Sequence, residues 1–341
     1  MTSSNITQPE NMNYQNAVRG CLFGGAVGDA LGYDVEFISL ETIRERFGQS
    51  GIREPSMKNG FSVVSDDTQM TMFTLDAIFS HLCNDHSDPI ELARDAYLRW
   101  NKTQNRSASW SPPEEPLTLE DEPSLNYLRA PGITCCNALD AGGLGTFDNV
   151  INDSKGCGGV MRVAPVGLVR KWSPEECFDL GAQTAAITHS HSTGYLSTGA
   201  MAQIIREIVG GANPLDAAKS ALAVLVEWPN HEETTSAIKK VITLIEADTS
   251  PSAEIVASLG EGWIAEEALA IGLYSSLASQ TFEDAVCLAA NHGGDSDSTA
   301  SIAGQIFGTW KGMYRVPRNW IEKLDVYYPL SRLIDDFLAI V

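Results

Sequence analysis

Two short stretches, far apart in the chain, gather carboxylates and hydroxyls where a helix should begin. Ser65-Asp66-Asp67-Thr68 precedes Met70, Met72, Phe73, Leu75 and Ile78. Asp295-Ser296-Asp297-Ser298 follows Gly293-Gly294 and precedes Ile302, Ala303, Ile306, Phe307 and Trp310. The apolar spacing behind each stretch reads as a buried helix. Brought face to face, the acids Asp66, Asp67, Asp295 and Asp297 and the hydroxyls of Ser65 and Ser298 would repel strongly unless hard cations neutralised them. An all-oxygen donor set suits Mg2+, Mn2+ or Ca2+ rather than zinc, so the chemistry to expect is a two-cation site. The same residue types are favoured helix caps, with acids gaining about 0.3–1 kcal/mol near a helix start, so each stretch alone also reads as a cap.

The elements that must position these acids begin near Asn16. Gly24-Gly25-Ala26-Val27-Gly28-Asp29-Ala30-Leu31-Gly32 gives up helix propensity for small surface and reads as a centrally packed helix against which another backbone can approach. Asp29 in this apolar setting must be paired, exposed at the helix end or near cations. Glu36-Phe37 falls in the exit loop. Met1 to Gln15 is polar and lacks the basic and apolar regions of a signal peptide, so a flexible arm is expected ahead of one domain spanning 16–341.

Further along, the spacing between Phe79 and Trp100 predicts two helices broken near Asp88-Pro89. Residues 102–131, with Pro112-Pro113, Pro116, Pro123 and acids at 114, 115, 120, 121 and 122, read as a long irregular rim whose charge could hold a cationic side chain. Ser154-Lys155-Gly156-Cys157-Gly158-Gly159 opens the segment Val160 to Val169. Such a turn can converge backbone N–H groups on a pyrophosphate, or it can be a tight turn and nothing more. It lacks the endings of the Walker A and dinucleotide fingerprints. Thr188-His189-Ser190-His191 precedes a helix over Gly194 to Val209, without the ligand spacing of a zinc site. Helical spacing recurs over Pro214 to Val226, Thr234 to Glu246, Ala265 to Ser276 and Phe282 to Ala290, with one or two closing helices after Asn319. No strand-rich region or membrane-spanning run is visible.

A formal net charge of −21 argues against nucleic acid or an anionic membrane as partner. Seven cysteines without paired metal-type spacing read as reduced thiols, which points to the cytoplasm.

Taken in order, Gly24 to Gly32 with Glu36-Phe37, Ser65 to Met70, and Gly293 to Ser298 resemble the ADP-ribosylglycohydrolase family from about residue 16 to residue 335. The resemblance implies an all-α, largely single-domain fold with two divalent cations, Mg2+ or Mn2+, in a cleft. By it Ser65, Asp66, Asp67, Asp295, Asp297 and Ser298 fall on metal-ligand positions, Glu36 on a mobile acid, and Asp67 and Asp297 on catalytic positions. It places Ser154, Lys155, Gly156, Cys157, Gly158 and Gly159 at the diphosphate, with Cys157 where the family commonly carries Asn, and His189 near the ribose and phosphates. The activity implied is removal of ADP-ribose from arginine of a modified protein; the alternatives are an ester-linked ADP-ribose, and an immunity protein that blocks an ADP-ribosyltransferase toxin, with the Met1 to Gln15 arm as the plug.

Overall fold

The computed structural model describes residues 8–84, 86–104, 110–114 and 117–341, and among them the chain is all-α, with isolated bridges such as Ser62 to Leu324 in place of strands. The first half carries α1 (Gln8–Gly32), α2 (Leu40–Phe47), α3 (Asp66–Cys83), α4 (Pro89–Gln104) and α5 (Ile133–Asp140). A 3-10 turn at Cys157–Arg162 leads into α6 (Ala164–Gly167), α7 (Pro174–Ala186), α8 (Ser192–Val209), α9 (Pro214–Leu225) and α10 (Glu232–Glu246). The chain closes with α11 (Ala253–Leu259), α12 (Ala265–Ala278), α13 (Phe282–Ala290), α14 (Ser296–Lys311), α15 (Arg318–Ile321) and α16 (Tyr327–Leu338).

The most extensive helix pair is α1 against α14. Gly20, Gly24, Gly28 and Gly32 recur every four residues along one face of α1 and meet Gly308, Gly304, Ala300 and Ser296 of α14, so the two helices run antiparallel. A Cβ at any of the four α1 positions would stand 2.1–2.4 Å from a carbonyl oxygen of α14. Each glycine forgoes about 1 kcal/mol of helix propensity relative to alanine, and backbone-to-backbone packing offsets it. The seam lays the C-terminal end of α1, which leads directly to Glu36, beside the N-terminal end of α14.

Around this pair α3 packs on α4 and α16, and α12 and α13 flank α14. The expected break between α3 and α4 is present, with Asp88 accepting from the Ile90 N–H at 2.8 Å. The first helix starts at Gln8, earlier than Asn16. Tyr14 is buried, donates to the Leu168 carbonyl at 2.8 Å and lies under the Arg170 guanidinium, so the chain is anchored from that point; residues 1–7 of the expected arm lie outside the described residues.

Three acids of the expected rim are engaged within the chain. Glu120 pairs with Arg99 at 2.9 Å, Glu122 with Arg332 at 2.5 Å, and Asp121 accepts from the Thr118 hydroxyl at 2.9 Å. These acids tie down the chain's own cations and turns, while Glu115 and Pro116 lie outside the described residues. The same stretch also presents apolar surface, with Tyr127, Leu128 and Ile133 exposed beside the start of α3, while Glu114 is exposed as well.

Candidate active site

The two acidic helix starts are caps and also converge. Ser65 is the N-cap of α3, its hydroxyl accepting from the Asp67 N–H at 3.2 Å. Asp295 is the N-cap of α14, accepting from the Ser298 N–H at 3.3 Å, and Asp297 accepts from the same N–H at 3.0 Å. Gly293 and Gly294 precede it for steric reasons. Gly293 has φ +87°, and a Cβ on Gly294 would stand 1.9 Å from the Glu261 carbonyl oxygen, which receives the Asp295 N–H at 2.8 Å. The approach to α14 is fixed further by Thr299, which donates to the Ala289 and Asp295 carbonyls and bonds His292 Nε2. Asn291 clamps Ile52 through its N–H at 2.8 Å and its carbonyl at 2.9 Å.

Asp29, for which pairing was required, is paired with a helix end. Its carboxylate accepts from Ser65 N–H at 2.9 Å, from Thr68 N–H at 3.0 Å and from the Thr68 hydroxyl. A residue in the last turn of α1 thus holds the first turn of α3, and with it Asp66 and Asp67. Asp66 also accepts from the Gly132 N–H at 3.2 Å, and the Asp66 N–H donates to the Arg129 carbonyl, so the apolar rim is stitched to the same turn.

Carboxylate oxygens of Glu36, Asp295 and Asp297 lie within 4.8 Å of one another. All the acids are buried except Glu36, which is half-buried. Burial, then the facing charge of Asp297, pushes Asp29 up to about 7, and burial with Asp297, Asp295 and Asp66 pushes Glu36 up to about 10. Asp66, Asp67 and Asp297 are raised well above the usual carboxylate range, again by burial first and then by the Asp297 charge for Asp66 and Asp67 and the Asp295 charge for Asp297. Asp67 Oδ2 and Glu36 Oε2 are buried without a hydrogen-bond partner. Carboxylates left unpaired beside one another call for cations, and this donor set fits hard divalent ions. Glu36 is held from its neighbour: Phe37 sits at φ +63° and stacks on Trp263 with ring centroids 5.3 Å apart.

The glycine-rich turn packs closely on its surroundings. Lys155 turns its ammonium to Glu233 at 2.9 Å and Glu266 at 3.3 Å, leaving it neutralised by carboxylates. Ser154 accepts from the Gly156 N–H at 3.3 Å and lies 3.1 Å from the Thr134 hydroxyl. A Cβ on Gly158 would meet His189 and Cys135 at 2.8 Å, and one on Gly159 would meet Thr198 at 2.5 Å, so these glycines are demanded by packing. His189 lies against Gly156 and Gly158 and shares a 2.8 Å hydrogen bond with Thr188. Burial and the nearby Arg162 charge lower it to about 3, so it is neutral. His191 caps α8 through the Thr193 N–H. The Cys157 thiol stands 2.8 Å from Asp295 Oδ2, a contact that sequence spacing alone gives no means to find.

The helical domain brings two acidic helix starts together beside a half-buried glutamate. The ADP-ribosylglycohydrolase family model matches residues 10–341, and the chain belongs to that family of hydrolases. It is 23% identical to the ADP-ribosylhydrolase ARH3 of Bos taurus, with 91% of this chain and 88% of that protein aligned. It is 24% identical to the ADP-ribosylarginine hydrolase Tri1 of Serratia proteamaculans, over 96% of this chain and 80% of that one. A solved structure described as an ADP-ribosylglycohydrolase-related protein complex shares the fold with a TM-score of 0.67 at 22% identity, covering 96% of this chain and 99% of its own. No helix among the described residues is long and apolar enough to cross a membrane.

Proposed function

We propose that the protein removes ADP-ribose from modified arginine in a reaction that depends on two divalent cations, Mg2+ or Mn2+. The observation that carries this reading is the convergence of Glu36, Asp295 and Asp297, with buried Asp66 and Asp67 acted on by the Asp297 charge and Asp67 Oδ2 left without a partner. Ser65, Asp66, Asp67, Asp295, Asp297 and Ser298 would hold the cations. Once bound, these would supply Lewis acidity toward the ribose hydroxyls and an attacking water. Breaking the bond from the anomeric carbon to the guanidine nitrogen develops oxocarbenium character, which the surrounding carboxylates offset. Water adds at that carbon, and the proton it loses passes to the departing guanidine. Glu36, the least buried acid of the cluster and the one carried on a loop, is the group to hold or move that proton. Neutral His189, against Gly156 and Gly158, is placed to donate or accept a hydrogen bond at the ribose and phosphates rather than to supply charge.

Arginine is the linkage named for the Serratia relative, while the bovine relative's name gives no linkage, so ester-linked ADP-ribose is the competing substrate. The experiment is release of ADP-ribose from an arginine-modified and a serine-modified protein, each with Mg2+ and with EDTA. Metal-dependent release from arginine alone supports the proposal; release from serine alone transfers it to the ester. Alanine at Glu36 or Asp67 should abolish turnover while circular dichroism stays unchanged, and full activity in either variant sinks the assignment. Blocking of a toxin by the N-terminal arm has less chain to work with than the sequence suggested, because the helix begins at Gln8 and Tyr14 is buried.

A further inference from the structure

The donor set around Asp295 is not all oxygen. The 3-10 turn Cys157–Arg162 turns two sulfurs toward the start of α14. Cys157 Sγ is 2.8 Å from Asp295 Oδ2 and 3.6 Å from Ser298 Oγ, and Met161 Sδ is 3.9 Å from the same Ser298 hydroxyl. The turn is held in place from both sides. The Cys157 N–H donates to the Trp263 carbonyl at 3.1 Å, and the Met161 carbonyl accepts from Gln305 Nε2 of α14 at 2.8 Å. Asp67, whose Oδ2 is buried and unpartnered, is among the charges that act most strongly on Cys157. A thiol, the Asp295 carboxylate and the Ser298 hydroxyl therefore border one small region, and the Asp67 carboxylate whose charge acts on the thiol has an oxygen without a partner.

We propose that Cys157 is a cation donor, and that it makes the Asp295–Ser298 side of the cleft selective for a thiophilic divalent ion such as Co2+, Zn2+ or Cd2+ over Mg2+. Soft sulfur ligands favour these ions, whereas Mg2+ takes oxygen. On binding, the thiol proton leaves to solvent and a sulfur-to-cation bond forms in its place. The proposal rests on the reading of this cleft as a cation site, and the test separates the two.

The full-length protein, stripped with EDTA, is titrated with Co2+ and followed by absorbance, alongside C157S and C157N. The expected result is a thiolate-to-cobalt charge-transfer band in the near ultraviolet that is lost in both variants while Co2+ still binds. Calorimetry should show Cd2+ affinity falling about 10–100-fold in C157S, the range that loss of a partner at a metal centre carries, with Mg2+ affinity little changed. Co2+ binding without the band overturns the role of Cys157 and leaves the cation site standing. No binding of Co2+, Cd2+ or Mg2+ overturns both. A band that persists in C157S comes from another thiol, such as exposed Cys83, and an equal fall for Cd2+ and Mg2+ marks Cys157 as packing; either result also overturns it.

Discussion

Gly32→Ala should damage catalysis more than it damages stability. Gly32 is the last residue of α1, in helical backbone that alanine adopts without strain, so the change tests contact alone. A Cβ there would stand 2.1 Å from the Ser296 carbonyl oxygen and 2.5 Å from the Asp297 nitrogen, where ordinary contact begins near 3.4 Å. The end of α1 and the start of α14 must therefore part by about 1.3 Å, and no flexible side chain is available to absorb it. Overpacking of this kind costs about 1–3 kcal/mol, and alanine returns about 1 kcal/mol of helix propensity, leaving a net loss of about 0–2 kcal/mol. The displaced atoms are those that set Glu36 against Asp297. A misplacement near 1 Å can cost about 100-fold in turnover. Urea unfolding and ADP-ribose release, measured on the same preparation, give both numbers. Gly28→Ala supplies the comparison, since its Cβ meets the Ala300 oxygen at the same 2.1 Å but lies a helical turn further from Glu36 and Asp297; it should lose similar stability and less activity. Wild-type turnover in Gly32→Ala, at any stability, would refute the idea that the glycine seam sets the geometry of the cluster.

Cation-free protein should lose stability as pH rises. Asp29 and Glu36, raised to about 7 and about 10, hold protons in the folded state that the unfolded chain releases. Their contribution is complete below the ordinary carboxylate range near pH 4 and drains away as pH climbs through those values. Thermal melts in EDTA should therefore fall between about pH 5 and pH 9, with Mg2+ or Mn2+ restoring most of the loss at the alkaline end; a flat profile contradicts the burial of repelling carboxylates. For His189, lowered to about 3, proton-detected NMR should show one neutral tautomer down to about pH 5, and a midpoint near the ordinary 6.5 would contradict its enclosure against Arg162. Trp263→Ala removes the stack that holds Phe37, an interaction worth about 0.5–1.5 kcal/mol, so kcat/KM should drop about two- to tenfold with cation affinity unchanged. An unaltered kcat/KM would mean that the Glu36 loop is positioned without that stack.

Much of the fold is written in local signals. The apolar spacing of α3, α8, α12, α13 and α14 and the Asp88-Pro89 break are visible in the chain because periodicity and proline act over a few residues. Helix α7 is not among the expected elements, although Ser173 and Glu176 form a capping box with Pro174 at its first turn, a signal that could have placed it. The short α2, α5 and α11 give no comparable periodicity. Lys155 illustrates the opposite difficulty. A lysine in a glycine-rich turn invites a phosphate reading, yet its partners Glu233 and Glu266 come from elements that spacing cannot bring near it.

The structure shows both acidic starts as caps, and the site reading, open from the sequence, is compatible with that because the two readings concern the same atoms. A carboxylate at a helix start is stabilised by the free N–H groups there, and those same N–H groups fix its direction. Two such starts can be aimed at one another only if their helices are held at a set distance. The glycine seam does this for α14 relative to Glu36, and Asp29 does it for α3 relative to α1. Asp29 could be flagged in sequence as a buried acid needing a partner, but its partners lie 36 and 39 residues away and appear only when α3 is folded against α1. Its replacement therefore separates positioning from charge. Asp29→Asn keeps an acceptor for the Ser65 and Thr68 N–H groups and should preserve the fold, whereas Asp29→Ala leaves buried N–H groups unpaired at about 1–3 kcal/mol each and should loosen Asp66 and Asp67 together. Equal stability of the two variants in urea would show that the start of α3 is held by something other than this carboxylate.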